Sequence, residues 1–150
     1  MNIKSALFAS IILPIGLLIT ACSSTSDNTG VKERQDMMAN WGDAMKVMGG
    51  MMKNPDTFDA AKFQEEAAFL ATDAVKPWTH FADENSKGGA TDAVWTDAAG
   101  FKAEADKFQQ ATAELNTAAQ NATSTADVQA AFENVSASCK SCHTTYKQPN

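Results

Sequence analysis

The chain closes on Ser138–Asn150, "SCKSCHTTYKQPN", a stretch that holds two of its three cysteines and one of its two histidines. Cys139, Cys142 and His143 fall within five residues of one another. Reading back from them, Val128, Phe132, Val135, Cys139, Cys142 and Tyr146 recur at alternate steps of four and three, which is one face of a helix. Ser124 or Thr125 supplies an N-cap. Lys140 and Lys147 stand in the last two turns, where the macrodipole favours positive charge. The cluster therefore sits near the end of a helix over about 125–147, with both cysteines on its apolar stripe.

The same period runs through the rest of the chain. Arg34, Met38, Trp41, Met45, Met48 and Met52 mark one helix over about 31–53, ended by "NPD" at 54–56. Phe63, Ala67, Leu70 and Ala74 mark a second over about 57–76, capped by Asp56 or Thr57 and stopped by Pro77. "PWTHFADENSKGGAT" reads as a loop, and a third helix starts after Thr91, with Asp92 in its first turn. Its stripe runs from Val94 through Ala98, Phe101, Ala105, Phe108, Thr112 and Leu115 to Ala119. "QNATST" separates it from the last helix. Four amphipathic helices joined mostly by short turns predict an all-α, antiparallel up-down four-helix bundle. Its stripes are rich in alanine, and each alanine buries about 1 kcal/mol less than leucine would. A core this thin in aliphatic bulk has room for something that is not protein.

Residues 1–21 carry Lys4 ahead of a mostly apolar, uncharged run over 6–19, which reads as a secretory leader rather than a membrane span. Its end, Ile19-Thr20-Ala21-Cys22, resembles a bacterial lipoprotein cleavage box, with Cys22 as the lipidated first residue. Leucine is commoner than Ile19 at the first box position; an ordinary leader beside a chance cysteine is the rival reading. By the same resemblance Ser23 points to the outer membrane. Residues 22–30 then form a small, polar tether, and 31–150 the folded domain. Without the leader the chain has eleven basic and eighteen acidic residues, a net charge of −7. That charge argues against nucleic acid and anionic lipid headgroups as partners and fits a basic protein. With Cys22 lipidated, only Cys139 and Cys142 remain to pair, and a disulfide across so short a loop stabilises almost nothing.

Cys139-Lys140-Ser141-Cys142-His143 has the C-x-x-C-H spacing of covalent c-type haem attachment. Residues three apart share a helix face. Two thiols there can add across the two vinyl groups on one porphyrin edge, and His143 then reaches the iron from one side. A redox C-x-x-C would open a helix rather than close one. A structural zinc site needs four ligands, and the only other histidine, His80, is in a loop.

With that motif in place, residues 33–148 resemble cytochrome c′ and its low-spin relatives, the class II c-type cytochromes. "VSASCKSCHTTYK", "PWTHF", "VWTDAAGF" and Arg34-Gln35 carry the resemblance. It implies one haem c per chain, His143 as the proximal axial ligand, and Arg34 against a haem propionate. It implies Met38, four residues after Arg34, as distal ligand or gate, and a homodimer through the first two helices. Lys147 stands where the family often has arginine, and loses the bidentate fork. Periodicity places Met38 on the Arg34 face, while Met37 belongs to a second stripe with Trp41, Ala44, Met48 and Met51, so the register stays open. Trp78 and Phe81 are expected at the haem edge or beneath it, Trp41 and Trp95 in plain core or a subunit interface, and His80 at the surface.

A thioether bonded to iron closes the haem and suits electron transfer, because Met/His ligation raises the potential. A thioether held off the iron leaves a site for NO or CO. The leading expectation is a lipid-anchored periplasmic electron carrier that is not an enzyme, with a gas-binding module second. A weak peroxidase is third, since no distal Arg/His pair is evident.

Overall fold

A computed structural model describes residues 26–149. The leader, Cys22 and the start of the tether lie outside the described residues. Helix α1 spans Ser26–Lys53, five residues earlier than periodicity placed its start. It ends at Asn54, whose amide and side chain both reach back to the Gly50 carbonyl. A single tight turn, Pro55–Thr57, follows. Helix α2 is then Ala60–Asp73, shorter than expected, and its cap is Asp59 rather than Asp56 or Thr57. Asp59 Oδ1 accepts from Lys62 N at 3.0 Å. Thr57 instead donates its hydroxyl to Asn54 O, which commits it to the preceding turn.

The third expected helix is broken in two, α3 (Ala93–Thr96) and α4 (Ala98–Ala119). The break is Asp97, which leaves helical geometry (φ −123°, ψ 54°) so that its carboxylate can cap Gly100 N. Side-chain periodicity is blind to such a step because the stripe continues through it. Helix α5 is Thr125–Tyr146, and it opens on a capping box made by Ser124 and Asp127. Asp127 Oδ2 accepts from the amides of Thr123 and Ser124, each at 2.9 Å. Those bonds, the Thr123 amide first, hold its pKa below the ordinary carboxylate value. A depressed folded pKa contributes stability above the unfolded value near about 3.9 and loses it as pH falls through the folded one. Asp127→Ala should therefore lower the melting temperature at neutral pH. Melting curves collected across acid pH should show that difference close as the carboxylate protonates.

The four long helices α1, α2, α4 and α5 form the bundle, with α4 packed on both α2 and α5. Met48, Phe63, Leu70, Leu115, Val128 and Val135 are fully buried at its centre. Alanines at 44, 67, 74, 111 and 119 let the helices approach closely. Along α1 the buried stripe is Trp41, Ala44, Met48 and Met51, the second of the two read from sequence. The Arg34–Met38–Met45 edge is turned toward the end of the bundle where α5 carries its cysteines. Between α2 and α4, a short turn at Pro77–Phe81 leads into a loop that crosses that same end. Gly88 in this loop has φ 53°, and a Cβ there would meet Val31 Cγ1 at 2.6 Å, so only glycine serves.

Candidate haem site

The stripe of α5 changes character along its length. Val128 and Val135 are buried in the bundle core, but one turn later Cys139 and Cys142 emerge half-buried on the wall of a cavity of about 350 Å³. His143 reaches the same wall. Met38, Trp41 and Met45 of α1 face it, with Leu70 of α2, Trp78 of the connecting turn and Phe108 of α4. A smaller hollow of about 110 Å³ adjoins it and shares Met38, Cys142 and His143. Met37 lines neither hollow and packs against the core instead.

Electrostatics suit the motif. Both thiols are free. Burial pushes the Cys139 thiol up, and burial, then the Glu104 carboxylate, then Cys139 push Cys142 up to about 11. Both are thus kept as neutral S–H groups. His143 stays partly open to solvent; the burial it does have, with the Lys147 charge second, lowers its pKa, which favours the neutral imidazole that can donate a lone pair to a metal.

The polar groups on the cavity wall are turned away from it. Trp41 Nε1 donates to Asp73 Oδ2 at 3.0 Å, and Trp78 Nε1 to Ala74 O at 2.6 Å. Ser136 and Ser138 donate their hydroxyls to Phe132 O and Val135 O, one helical turn back. Trp41, Trp78 and Phe108 pack tilted and edge-on into one aromatic wall, with Trp41 and Phe108 centroids 4.8 Å apart. No acidic side chain, lysine or arginine lines this cavity among the described residues.

Arg34 lies at the smaller hollow, 3% exposed. Its guanidinium donates to the carbonyls of His80 (2.6 Å), Ser86 (2.7 Å) and Lys87 (2.6 Å). It also stands over the Phe81 ring, 4.3 Å from the centroid. In this arrangement it ties α1 to the loop. The loop is gripped from the other side by the residues after His143. Thr91 N donates to Tyr146 O, Gln148 N to Gly89 O, and Gln148 Nε2 to Ala90 O. Lys147 lies just past the end of α5, opposite Ala90. Tyr146 donates its hydroxyl to Asp97 Oδ2 at 2.8 Å, so the residue that separates α3 from α4 also anchors the end of α5. Trp95 is outside the main core, with Nε1 on Phe81 O. His80 lines neither hollow and pairs with Glu33 at 3.2 Å.

Sequence reasoning did not single out Glu104, Asp97 or Ser138 here. Glu104 stood out of the apolar stripe and beside Ala105, which gave it the look of a solvated residue.

An apolar cavity walled on one side by Cys139, Cys142 and His143, which share one face of α5, fits a covalently held porphyrin. The comparisons agree with that geometry. The family model described as Cytochrome C' matches residues 29–147. A cytochrome c' of Alcaligenes xylosoxydans xylosoxydans is 33% identical over 118 residues, covering 79% of this chain and 92% of the relative. One of Rubrivivax gelatinosus is 36% identical over 104 residues, 67% of this chain and 80% of the relative. The solved nitric oxide complex of a mutant cytochrome c prime from Alcaligenes xylosoxidans superposes with a TM-score of 0.78 at 30% identity, covering 84% of this chain and 98% of that one. This is a family of haem-binding proteins with one covalently attached haem c per chain. The bundle, the cysteines that close it and these matches lead to one assignment: the chain belongs to the cytochrome c′ family, the class II c-type cytochromes.

Proposed function

We propose that this chain binds NO or CO at a haem c held by Cys139 and Cys142 and ligated by His143, with Met38 at the opposite axial face. The observation that carries this reading is the silence of the cavity wall. Both indole N–H groups and both serine hydroxyls on it are engaged elsewhere. NO and CO need no hydrogen-bond donor to bind reduced iron, whereas cleaving a peroxide needs polar groups to move a proton. The bound haem supplies an iron centre that can change oxidation state by one electron and take an axial ligand. The Alcaligenes relative is seen with nitric oxide bound, which supports the same ligand class here.

A second reading is one-electron transfer with the Met38 thioether on the iron, favoured by the presence of Met38 in both hollows beside His143. The optical spectrum of the reduced protein, before and after CO, separates the two. A broad visible band that sharpens with CO supports gas binding. A sharp split band untouched by CO overturns it, and Met38→Ala should then make the spectrum CO-sensitive.

The rest of the reading follows the chain outward. The leader and Cys22 support a periplasmic domain on a lipid anchor, with Ser23 favouring the outer membrane. No helix of the described residues is long and apolar enough to cross a membrane. The acidic surface fits a basic redox partner. Exposed Val47 on α1, with Phe69 and Val75 on and just past α2, supports a homodimer through those helices.

A further inference from the structure

We propose that Glu104 sets the reduction potential of the haem: its negative charge, held between α4 and α5 beside the Cys142 attachment, favours the ferric state.

A groove of about 330 Å³ runs between α4 and α5, and Ser138 borders both it and the apolar cavity. Glu104 projects into this groove from α4, next to Lys107 and Ser141. Its side chain is only 14% exposed, whereas that of Lys107 is 64% exposed. The Lys107 ammonium meets Oε1 alone. Oε2 is buried, and the Ser141 hydroxyl lies close to the carboxylate. The two charges therefore do not cancel. The lysine end is screened by water, and the carboxylate end acts through protein, where the effective dielectric is lower.

Glu104 shares its groove with Ser138 and Ser141, the chain neighbours of Cys139 and Cys142, so its charge bears on the segment that would hold the haem. Adding an electron to a haem next to a fixed negative charge costs more than adding it next to a neutral group. Lys107, on the far side of the carboxylate, partly offsets this.

The proposal concerns the haem itself and stands whether Met38 bonds the iron or leaves it open; the CO spectrum decides that separately. The test is a spectroelectrochemical titration of the holoprotein. At the parent's midpoint, Glu104→Gln should raise the ferrous-to-ferric ratio about tenfold, an upward shift of about 59 mV for one electron. Glu104→Asp should stay near the parent. Lys107→Gln should lower the ratio, by less. Visible spectra of both oxidation states should be unchanged, so that altered ligation does not account for the shift. A ratio within twofold of the parent in Glu104→Gln overturns the proposal, as do shifts of the same sign in the glutamate and lysine variants. Should Glu104→Gln fail to fold, the exposed Lys107 still decides: an unchanged or raised ratio in Lys107→Gln rejects the assignment.

Discussion

Replacing Cys139 and Cys142 together by alanine is expected to give a chain that gives up its haem entirely on acid-acetone extraction, where the parent keeps all of it. In the proposed site the two thioethers would be the covalent links, and the other two cavity-facing candidates, His143 and Met38, would offer only bonds to iron that acid breaks. A denaturing gel stained for haem should show a coloured band for the parent and none for the double variant. Each single variant should retain a band, because one thioether suffices to hold the group through denaturation. The stability effect should be as large as the chemical one. A cavity of about 350 Å³, walled by Trp41, Leu70, Trp78 and Phe108, lies in the upper half of the bundle. A sealed cavity of that volume would cost about 8 kcal/mol at about 24 cal/mol per Å³, and one open to water on one side costs less. That compares with about 5–15 kcal/mol for the whole stability of such a domain. Thermal melting of the double variant after haem extraction should therefore be broad or absent. A sharp transition near the parent's would show that the alanine-lined bundle closes on itself.

Much of this is legible in the sequence, for definable reasons. The bundle follows from a period of 3.6 sustained over most of the chain, and burial at Met48, Phe63, Leu70, Leu115 and Val135 repeats that period. The attachment motif was legible because its spacing is set by a rigid cofactor edge and a helical turn, neither of which depends on distant residues. What escaped depends on contacts that periodicity does not carry, some distant in sequence and some within a single turn. Asp97 interrupts its helix because its second oxygen is held by Tyr146, 49 residues away. Asp59, not Asp56, caps α2 because Thr57 is drawn into the turn before it. On α1, both candidate stripes pass through Trp41 and Met48. Only the packing of neighbouring helices assigns Trp41, Ala44, Met48 and Met51 to the core and leaves Met38 and Met45 at the cavity.

Arg34 is where resemblance and geometry make different demands, and its replacement is the second large effect. Arg34→Met keeps the length and volume of the side chain and removes every donor. The carbonyls of His80, Ser86 and Lys87 would then lose a charged partner at the closed end of the bundle. Hydrogen bonds to charged groups contribute about 1.5–3 kcal/mol each, and a buried carbonyl left without its donor costs about 1–3 kcal/mol. For a domain of this size that lowers the melting temperature by about 10 °C or more. Arg34→Lys should recover only part of it, because one ammonium cannot span three carbonyls that a planar fork reaches together. Because the loop carries the amides of Ala90 and Thr91 and the carbonyl that takes Gln148 N, its release should also free the tail. Hydrogen exchange at Ala90, Thr91 and Gln148 should quicken in Arg34→Met while the amides of α2 stay protected. A propionate partner predicts a different pattern: exchange and melting near the parent's, with the reduction potential moved. The three carbonyls around the guanidinium favour the first pattern, in which Arg34 serves the site by holding the loop that closes it.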